Sequence, residues 1–420
     1  MIRQILFVWY YMYNHYLEGG GSMKITGVVA EYNPFHAGHE YQLKKARELS
    51  GCDGIAVVMS GNYVQRGEPA IIDKFKRAEA AIYGGADIVI ELPMPFSCQN
   101  AEIFSFAAIR ELSKLRINSI SFGCENDRLE LLKKIANAQL LPEFNARVRK
   151  EMKKGISYGN AMTNSLKSIL GDAEAVYMPN NVLAVEYIKS AIKLNLNIDF
   201  YPVKRLGMNY NDTVISESFH SATAIRKGIL EGNYSNLKLT EKSFQSIEDF
   251  YSQHKKFNTL DNYIDYLYYK IIDLGSSLDE IYEVKEGLDN KILANVFKYN
   301  NVDEFIMSLK SKRYTYSKVR RCLLNILLSI SKSDINTFLS HSTDYVKVLA
   351  FNDRGRDIIK YAKNKETKVV NRYSDYKKYN LNPEELPVFN LTKKASDIYY
   401  LPLENRKINS EYRENAVYIS

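Results

Sequence analysis

The chain has 420 residues, 45% of them hydrophobic and 25% charged, and a net charge of +8. That is an ordinary soluble globular composition, long enough for two or three domains; the mild basicity permits a nucleic-acid partner and fits a well-solvated surface equally. Four cysteines without paired spacing (Cys52, Cys98, Cys124 and Cys322) argue against a disulfide framework and a zinc site and point to a reducing, cytoplasmic setting, and no run approaches the roughly 18 apolar residues of a membrane helix.

The opening "ILFVWYYMY" is apolar but only about half a membrane span long, and no A-x-A-like cleavage site follows it. "EGGGS" before Met23 is what a purine-rich ribosome-binding site yields when translated, which makes Met23 the expected start; a flexible linker is the other reading. Residues 1–22 are therefore set aside as a non-native or mis-assigned extension. From Met23 onward strands and helices alternate. "KITGVVA" (24–30) is a β-branched apolar run, and "HEYQLKKAREL" has helical spacing through Tyr41, Leu43, Ala46 and Leu49. "GIAVVMS" (54–60) predicts a second strand, and "DKFKRAEAAIYGG" a helix capped by Asp73 and stopped by glycine, with Lys74 solvated at its start. "ADIVIELP" (86–93), the helix "NAEIFSFAAIRELSKL" and "INSISFG" (117–123) continue the alternation. Helices are expected over 129–170 and 181–194, then a strand at "NIDFYPVKR" (197–205). Apolar strands alternating with amphipathic helices predict βαβ units around a buried parallel sheet. Past residue 230 the strand signal fades. "IEDFYSQHKKF", "YIDYLYYKIIDL", "IYEVKEGLDNKILANVFKY" and "SKVRRCLLNILLSI" predict a separate, mostly helical part, with "KVLAFN" (347–352) and "DIYYLPL" (397–403) as a small α/β element near the end.

The stretch "EYNPFHAGH" (31–39) lies between the first strand and the first helix. In an open parallel sheet, ligands bind at the carboxyl ends of strands, where helix N-termini offer N–H groups and a positive dipole end to anions. Gly38 removes a side chain where a phosphate could approach, and Pro34 fixes the loop. His36 and His39 share one face at the helix start and each can donate to phosphate oxygens. Two histidines three apart can also bind metal, but no nearby cysteine or third histidine completes a set, so no dedicated metal site is expected; a purely structural pair is the remaining alternative. A second stretch, "FHSATAIRKGI" (219–229), places Ser221 as a helix cap, Thr223 as a hydroxyl donor and Arg226 as a cation for β- and γ-phosphates. Taken alone it reads as a capped helix. In the loop after the second strand, Arg66 of "QRGEP" either neutralises an anion or is a surface loop residue.

"HAGH" after a first strand resembles the HxGH signature of the nucleotidyltransferase-like superfamily, and "SATAIR" its second, Ser/Thr-rich signature. More narrowly, six blocks in order resemble the bacterial tRNA(Met) cytidine acetate ligase family: "GVVAEYNPFHAGHEYQL", "VVMSGNYVQRGEPAIIDKFKRAEAAIYGGADIVIELP", "SFGCEN", "PNNVLAVEYIKSA", "SATAIR" and "SKRYTYSKVRRCLLNILL". The resemblance implies a Rossmann-like, parallel-sheet ATP-binding catalytic domain over residues 23–230 and a mostly helical, basic, tRNA-binding region over 231–420. It implies an ATP-dependent carbon–nitrogen ligase that activates acetate as acetyl-adenylate. The acetyl group then passes to N4 of the wobble cytidine of elongator tRNA(Met), giving N4-acetylcytidine. His36, His39 and Arg226 would be catalytic. The ATP stretch would comprise Val29, Ala30, Glu31, Tyr32, Asn33, Pro34, Phe35, His36, Ala37, Gly38, His39, Glu40, Tyr41 and Gln42. Gly123, Asn180 (or its neighbour Asn181), Arg205, Leu206, Ser221 and Thr223 would complete the nucleotide pocket.

Acetate is already anionic and needs no general base. The site must instead bring two anions together, which calls for cations and N–H donors. Mg²⁺ is expected with ATP rather than in a protein cage. For the second step, RNA loop bases splay onto aromatics and arginine. The basic "KSKRYTYSKVRR" (310–321) is the expected tRNA contact: Lys310, Lys312, Arg313, Lys318, Arg320 and Arg321 for phosphates, Tyr314 and Tyr316 for stacking. A charged solvent face of a helix start is the plainer reading. The competing functions are a small-molecule adenylyl- or cytidylyltransferase, against which the long basic tail argues, and a non-catalytic RNA-binding protein, against which both histidines and Arg226 argue. No membrane and no stable protein partner is inferred.

Overall fold

The structure, a computed structural model, describes residues 23–125, 128–171, 179–204, 221–233, 237–285, 287–311, 313–340 and 343–420. The first strand, β1 (Ile25–Ala30), leads through the loop 31–36 into helix α1 (Ala37–Ser50). Then come β2 (Gly54–Ser60), a short antiparallel hairpin of β3 (Tyr63–Val64) and β4 (Glu68–Pro69), helix α2 (Lys74–Tyr83), β5 (Ile88–Leu92), α3 (Ala101–Ser113) and β6 (Ser119–Cys124). Three helices, α4 (Leu129–Leu140), α5 (Pro142–Met152) and α6 (Tyr158–Leu170), precede α7 (Pro179–Lys193), β7 (Asp199–Lys204) and α8 (Ala222–Leu230).

The strands form one eight-stranded sheet in the order β10-β8-β5-β2-β1-β6-β7, with β9 also paired to β8. All pairings from β5 to β7 are parallel. The chain runs outward from β1 through β2 to β5, then returns to place β6 on the other side of β1. That reversal opens a crevice at the carboxyl ends of β1 and β6, where such sheets bind ligands. The central strands are apolar on both faces. Ile55, Val57 and Met59 of β2 join the core under α1 and α2, whereas Ala56 and Val58 join the core under α3. Two-sided burial is why these strands read as unbroken apolar runs instead of alternating ones.

The helical part comprises α9 (Glu241–His254), α10 (Ile264–Leu274), α11 (Leu288–Asn295), α12 (Val302–Leu309), α13 (Tyr316–Leu328) and α14 (Lys332–Ser340). The chain then returns to the sheet. Strand β8 (Tyr345–Phe351) pairs antiparallel with β5; α15 (Asp353–Asn364), β9 (Lys368–Val370), α16 (Ser374–Lys378), α17 (Pro387–Tyr399), α18 (Ser410–Arg413) and β10 (Val417–Tyr418) follow. Strands from both sides of residue 230 therefore share one sheet. "KVLAFN" lies largely in β8 as a strand, but most of "DIYYLPL" belongs to the end of α17 and the turn after it. Lys74 is also corrected: it is buried, because its ammonium binds Glu91 at 2.7 Å and Glu411 at 2.5 Å. All four cysteines are free thiols. Among the described residues no helix is long and apolar enough to cross a membrane.

Candidate functional site

The loop between β1 and α1 is held from three sides. Arg77 of α2 is fully buried and donates to the carbonyls of Ile72 (3.1 Å), Glu31 (2.5 Å) and Gly61. The Asn33 side-chain oxygen accepts from the Ile71 N–H at 2.8 Å, and a Glu31 carboxylate oxygen accepts from the Gln65 N–H at 2.7 Å. Tyr32, Asn33, Pro34 and Phe35 point inward and are buried. Tyr32 and Phe35 meet edge-on at 4.9 Å, and Tyr32 packs against the His39 ring at 4.8 Å. Gly84 is obligatory behind Phe35, since a Cβ there would fall 2.2 Å from its ring. These side chains shape the loop, while Val29, Ala30, His36, Ala37, Gly38 and His39 are half-buried along its open side.

His36 and His39 form a capping box made entirely of imidazoles. His36 caps α1 by accepting the Gly38 N–H at Nδ1 (3.1 Å), and His39 Nδ1 accepts the His36 N–H at 3.3 Å. The rings stack with centroids 3.7 Å apart. With both Nδ1 atoms accepting, each neutral ring carries its proton at Nε2. In that tautomer the N–H donor of each ring is at Nε2. The backbone donors expected here are engaged. The Ala37 N–H reaches the Lys238 carbonyl at 3.1 Å, and those of His39 and Glu40 reach the His36 carbonyl at 2.8 and 3.2 Å. The helix end therefore offers its dipole and the imidazoles rather than open N–H groups.

Arg226 reaches this loop from α8, where Ser221 caps the helix by accepting the Ala224 N–H at 3.1 Å. Its guanidinium donates to the Asn33 carbonyl at 2.9 Å and to the Thr223 hydroxyl at 3.4 Å, and lies 3.5 Å from a Glu68 oxygen. Burial lowers its pKa, partly offset by Glu31. On the far side of β1, Gly123 pairs with Val203 of β7, two residues beyond the Val28–Ser121 pair and hence level with Ala30. A strand position without a side chain opens the crevice there. Asn181 is fully buried and accepts from the Glu125 N–H at 3.4 Å, which ties α7 to the end of β6. The side chain of Asn180, together with Arg205, Leu206 and Lys312, lies outside the described residues.

The basic stretch 310–321 divides. Lys310 and Arg313 are exposed. Tyr314 is buried, with its hydroxyl on the Lys285 carbonyl, and Tyr316 bonds Asp303, so neither is an open stacking platform here. Arg320 and Arg321 are turned inward, contrary to the expectation that they hold RNA phosphates on the surface. Arg321 makes two 3.0 Å bonds to Glu283; burial opposes its charge, and that carboxylate outweighs it and raises its pKa. Arg320 pairs with Glu68, lies over the Tyr316 ring, and has its pKa lowered to about 10 by burial and by Arg66 nearby. Arg66, half-buried at the hairpin tip, is itself lowered by burial and by Arg226, against the pull of Glu31. Sequence reasoning missed Arg77 and Glu68, and the separation of Glu68 from Arg320 along the chain left no signal for that pair. Among the described residues, no three His, Cys, Asp or Glu side chains converge to hold a metal ion.

The chain is similar to known proteins along nearly its whole length. Residues 23–415 match the family described as HIGH Nucleotidyl Transferase. The tRNA(Met) cytidine acetate ligase of Clostridium perfringens is 38% identical over 93% of this chain and 98% of its own length; that of Caldicellulosiruptor saccharolyticus is 35% identical over 94% and 99%. Crystal structures of Thermotoga maritima TmcAL superpose with a TM-score of 0.87 for the apo form and 0.85 for the form bound with alpha-thio ATP. Their identities are 32% and 31%, each over 94% of this chain and 100% of that one. The chain belongs to the HIGH nucleotidyltransferases and, within them, to the tRNA(Met) cytidine acetate ligase family.

Proposed function

We propose that this protein is an ATP-dependent ligase that activates acetate as acetyl-adenylate and transfers the acetyl group to N4 of the wobble cytidine of elongator tRNA(Met), giving N4-acetylcytidine. One observation carries the reading: the paired imidazoles at the start of α1 and Arg226 of α8 meet on one loop, Arg226 through the Asn33 carbonyl. A site of stacked Nε2–H donors and a fixed guanidinium suits a polyphosphate, and acetate, already anionic, supplies the attacking group.

In the first step an acetate oxygen attacks the α-phosphorus of ATP, and the bond to the bridging oxygen breaks toward pyrophosphate. His36, His39 and Arg226 hold the phosphate oxygens as charge moves onto the leaving group, an effect worth about 2.7–4 kcal/mol per well-placed donor. Mg²⁺ would arrive with ATP and neutralise its phosphates; among the described residues Glu31 and Glu68 are engaged by the Gln65 N–H and by arginines. In the second step the cytidine N4 attacks the acetyl carbonyl, AMP leaves with the bonding electrons, and the amine gives up a proton. Residues 231–420 present the RNA in this reading, with Lys310 and Arg313 as exposed phosphate contacts, and the setting is cytoplasmic. A small-molecule nucleotidyltransferase is disfavoured, because the curated relatives that match nearly the whole chain are tRNA(Met) ligases. The test is pyrophosphate release from ATP with and without acetate in the absence of RNA. Release that requires acetate supports the ligase; release indifferent to acetate sinks it.

A further inference from the structure

A third arginine stands at the site, and it comes from the helical part. The β3–β4 hairpin presses its tip onto α13. Gly67 adopts φ +82°, and a Cβ there would lie 2.6 Å from the Arg321 nitrogen and 2.8 Å from the Arg320 carbonyl carbon. No side chain fits between the two backbones, so the hairpin and the first turns of α13 are locked together. The lock delivers Arg320 to Glu68, whose other oxygen lies 3.5 Å from Arg226, which in turn holds the Asn33 carbonyl of the β1–α1 loop. The side chains of Arg320, Glu68 and Arg226 retain only 14%, 17% and 21% of their exposure. Arg66 at the hairpin tip is near enough to both other arginines to repel them. Three guanidinium groups from three separate parts of the chain thus converge beside the loop that carries the two histidines. The Glu68 carboxylate already bridges two of them, in the way a bound oxyanion would.

We propose that Arg320, with Arg66 and Arg226, forms an oxyanion-binding site of the adenylation centre, for the polyphosphate tail of ATP or the carboxylate of acetate, and that Arg320 is a substrate-binding residue rather than an RNA contact. The inference rests on the ligase reading for the identity of the substrates, and its test separates the two. Arg320→Gln and Arg320→Lys are compared with the unaltered protein for binding of pyrophosphate by calorimetry, for KM of ATP and of acetate in RNA-free pyrophosphate release, and for affinity toward tRNA.

Loss of one charge-assisted contact predicts a change of about tenfold in Arg320→Gln, partly recovered in Arg320→Lys. If the site holds polyphosphate, pyrophosphate affinity and the KM for ATP worsen while that for acetate holds; if it holds the carboxylate, only the KM for acetate rises. In both cases tRNA affinity stays within about twofold. Unchanged pyrophosphate affinity and unchanged KM values overturn the proposal, and do so most plainly if tRNA affinity falls instead. Should the unaltered protein release no pyrophosphate in response to acetate, the ligase reading fails, and pyrophosphate binding alone then decides the role of Arg320.

Discussion

His36 does two jobs that substitution can separate. Its Nδ1 caps α1 through the Gly38 N–H at 3.1 Å, and its Nε2 is the proposed phosphate donor. Removing the cap with His36→Ala costs about 1 kcal/mol of stability, within a range of roughly 0.5–2. Asparagine is among the best N-caps, so His36→Asn retains the bond to Gly38 and stays within about 0.5 kcal/mol of the unaltered protein. Both variants lose the imidazole, and one missing donor to developing charge lowers acetate-dependent pyrophosphate release by about 10²–10³-fold. His39→Gln is the companion, because glutamine at the third helical position can still reach back to the His36 N–H that His39 now binds at 3.3 Å. Urea unfolding reads the first effect and RNA-free pyrophosphate release the second. If His36→Asn is fully active while His36→Ala is impaired only in proportion to its instability, the ring is a cap and the phosphate assignment is wrong.

Gly67→Ala forces a methyl against the α13 backbone at a positive φ; strain and overpacking together cost about 2–5 kcal/mol, and the displaced Arg66 and Glu68 lower pyrophosphate release more than tenfold. A fully active, equally stable variant would contradict the close approach. Lys347 is buried beside Lys74, Glu91 and Glu411, and burial, aided by repulsion from Lys74, pushes its pKa from 10.5 down to about 7. The folded chain then sheds this proton before the unfolded one does. The group's burial cost is fully present below pH 7 and is relieved as pH rises toward 10.5, so this term increases stability with pH across that window. In Lys347→Met the upward term disappears, which unfolding at a series of pH values from 6.5 to about 9.5 measures as a change in slope; identical slopes would refute it. Lys310→Ala with Arg313→Ala should flatten the salt dependence of tRNA binding by about one logarithmic unit of slope per lost phosphate contact and leave RNA-free pyrophosphate release intact.

The βαβ core was legible because its strands are buried on both faces and its helices carry plain caps, as at Asp73 and Gly84. The two-residue strands of the 63–69 hairpin are too short to show any periodicity, and their role depends on α13, far along the chain. Charged residues were the weak point for the same reason. Lys74 and Arg320 look solvated in their local sequence; their partners Glu411 and Glu68 arrive only when the chain returns to the sheet and when α13 docks on the hairpin. The paired histidines could be placed at a strand-to-helix crossover from the sequence, a position that favours phosphate over metal. Their mutual capping through the two Nδ1 atoms required the geometry of the loop.

In the proposed reaction the His36–His39–Arg226 site activates acetate for transfer to RNA. The most direct measurement supplies the protein with ATP, labelled acetate and either elongator tRNA(Met) or other tRNAs, and analyses the nucleosides after digestion. Label is expected in N4-acetylcytidine from elongator tRNA(Met) alone, abolished in His36→Asn although that protein is folded and binds the tRNA. Label spread equally over all tRNAs, or retained in His36→Asn, would contradict it.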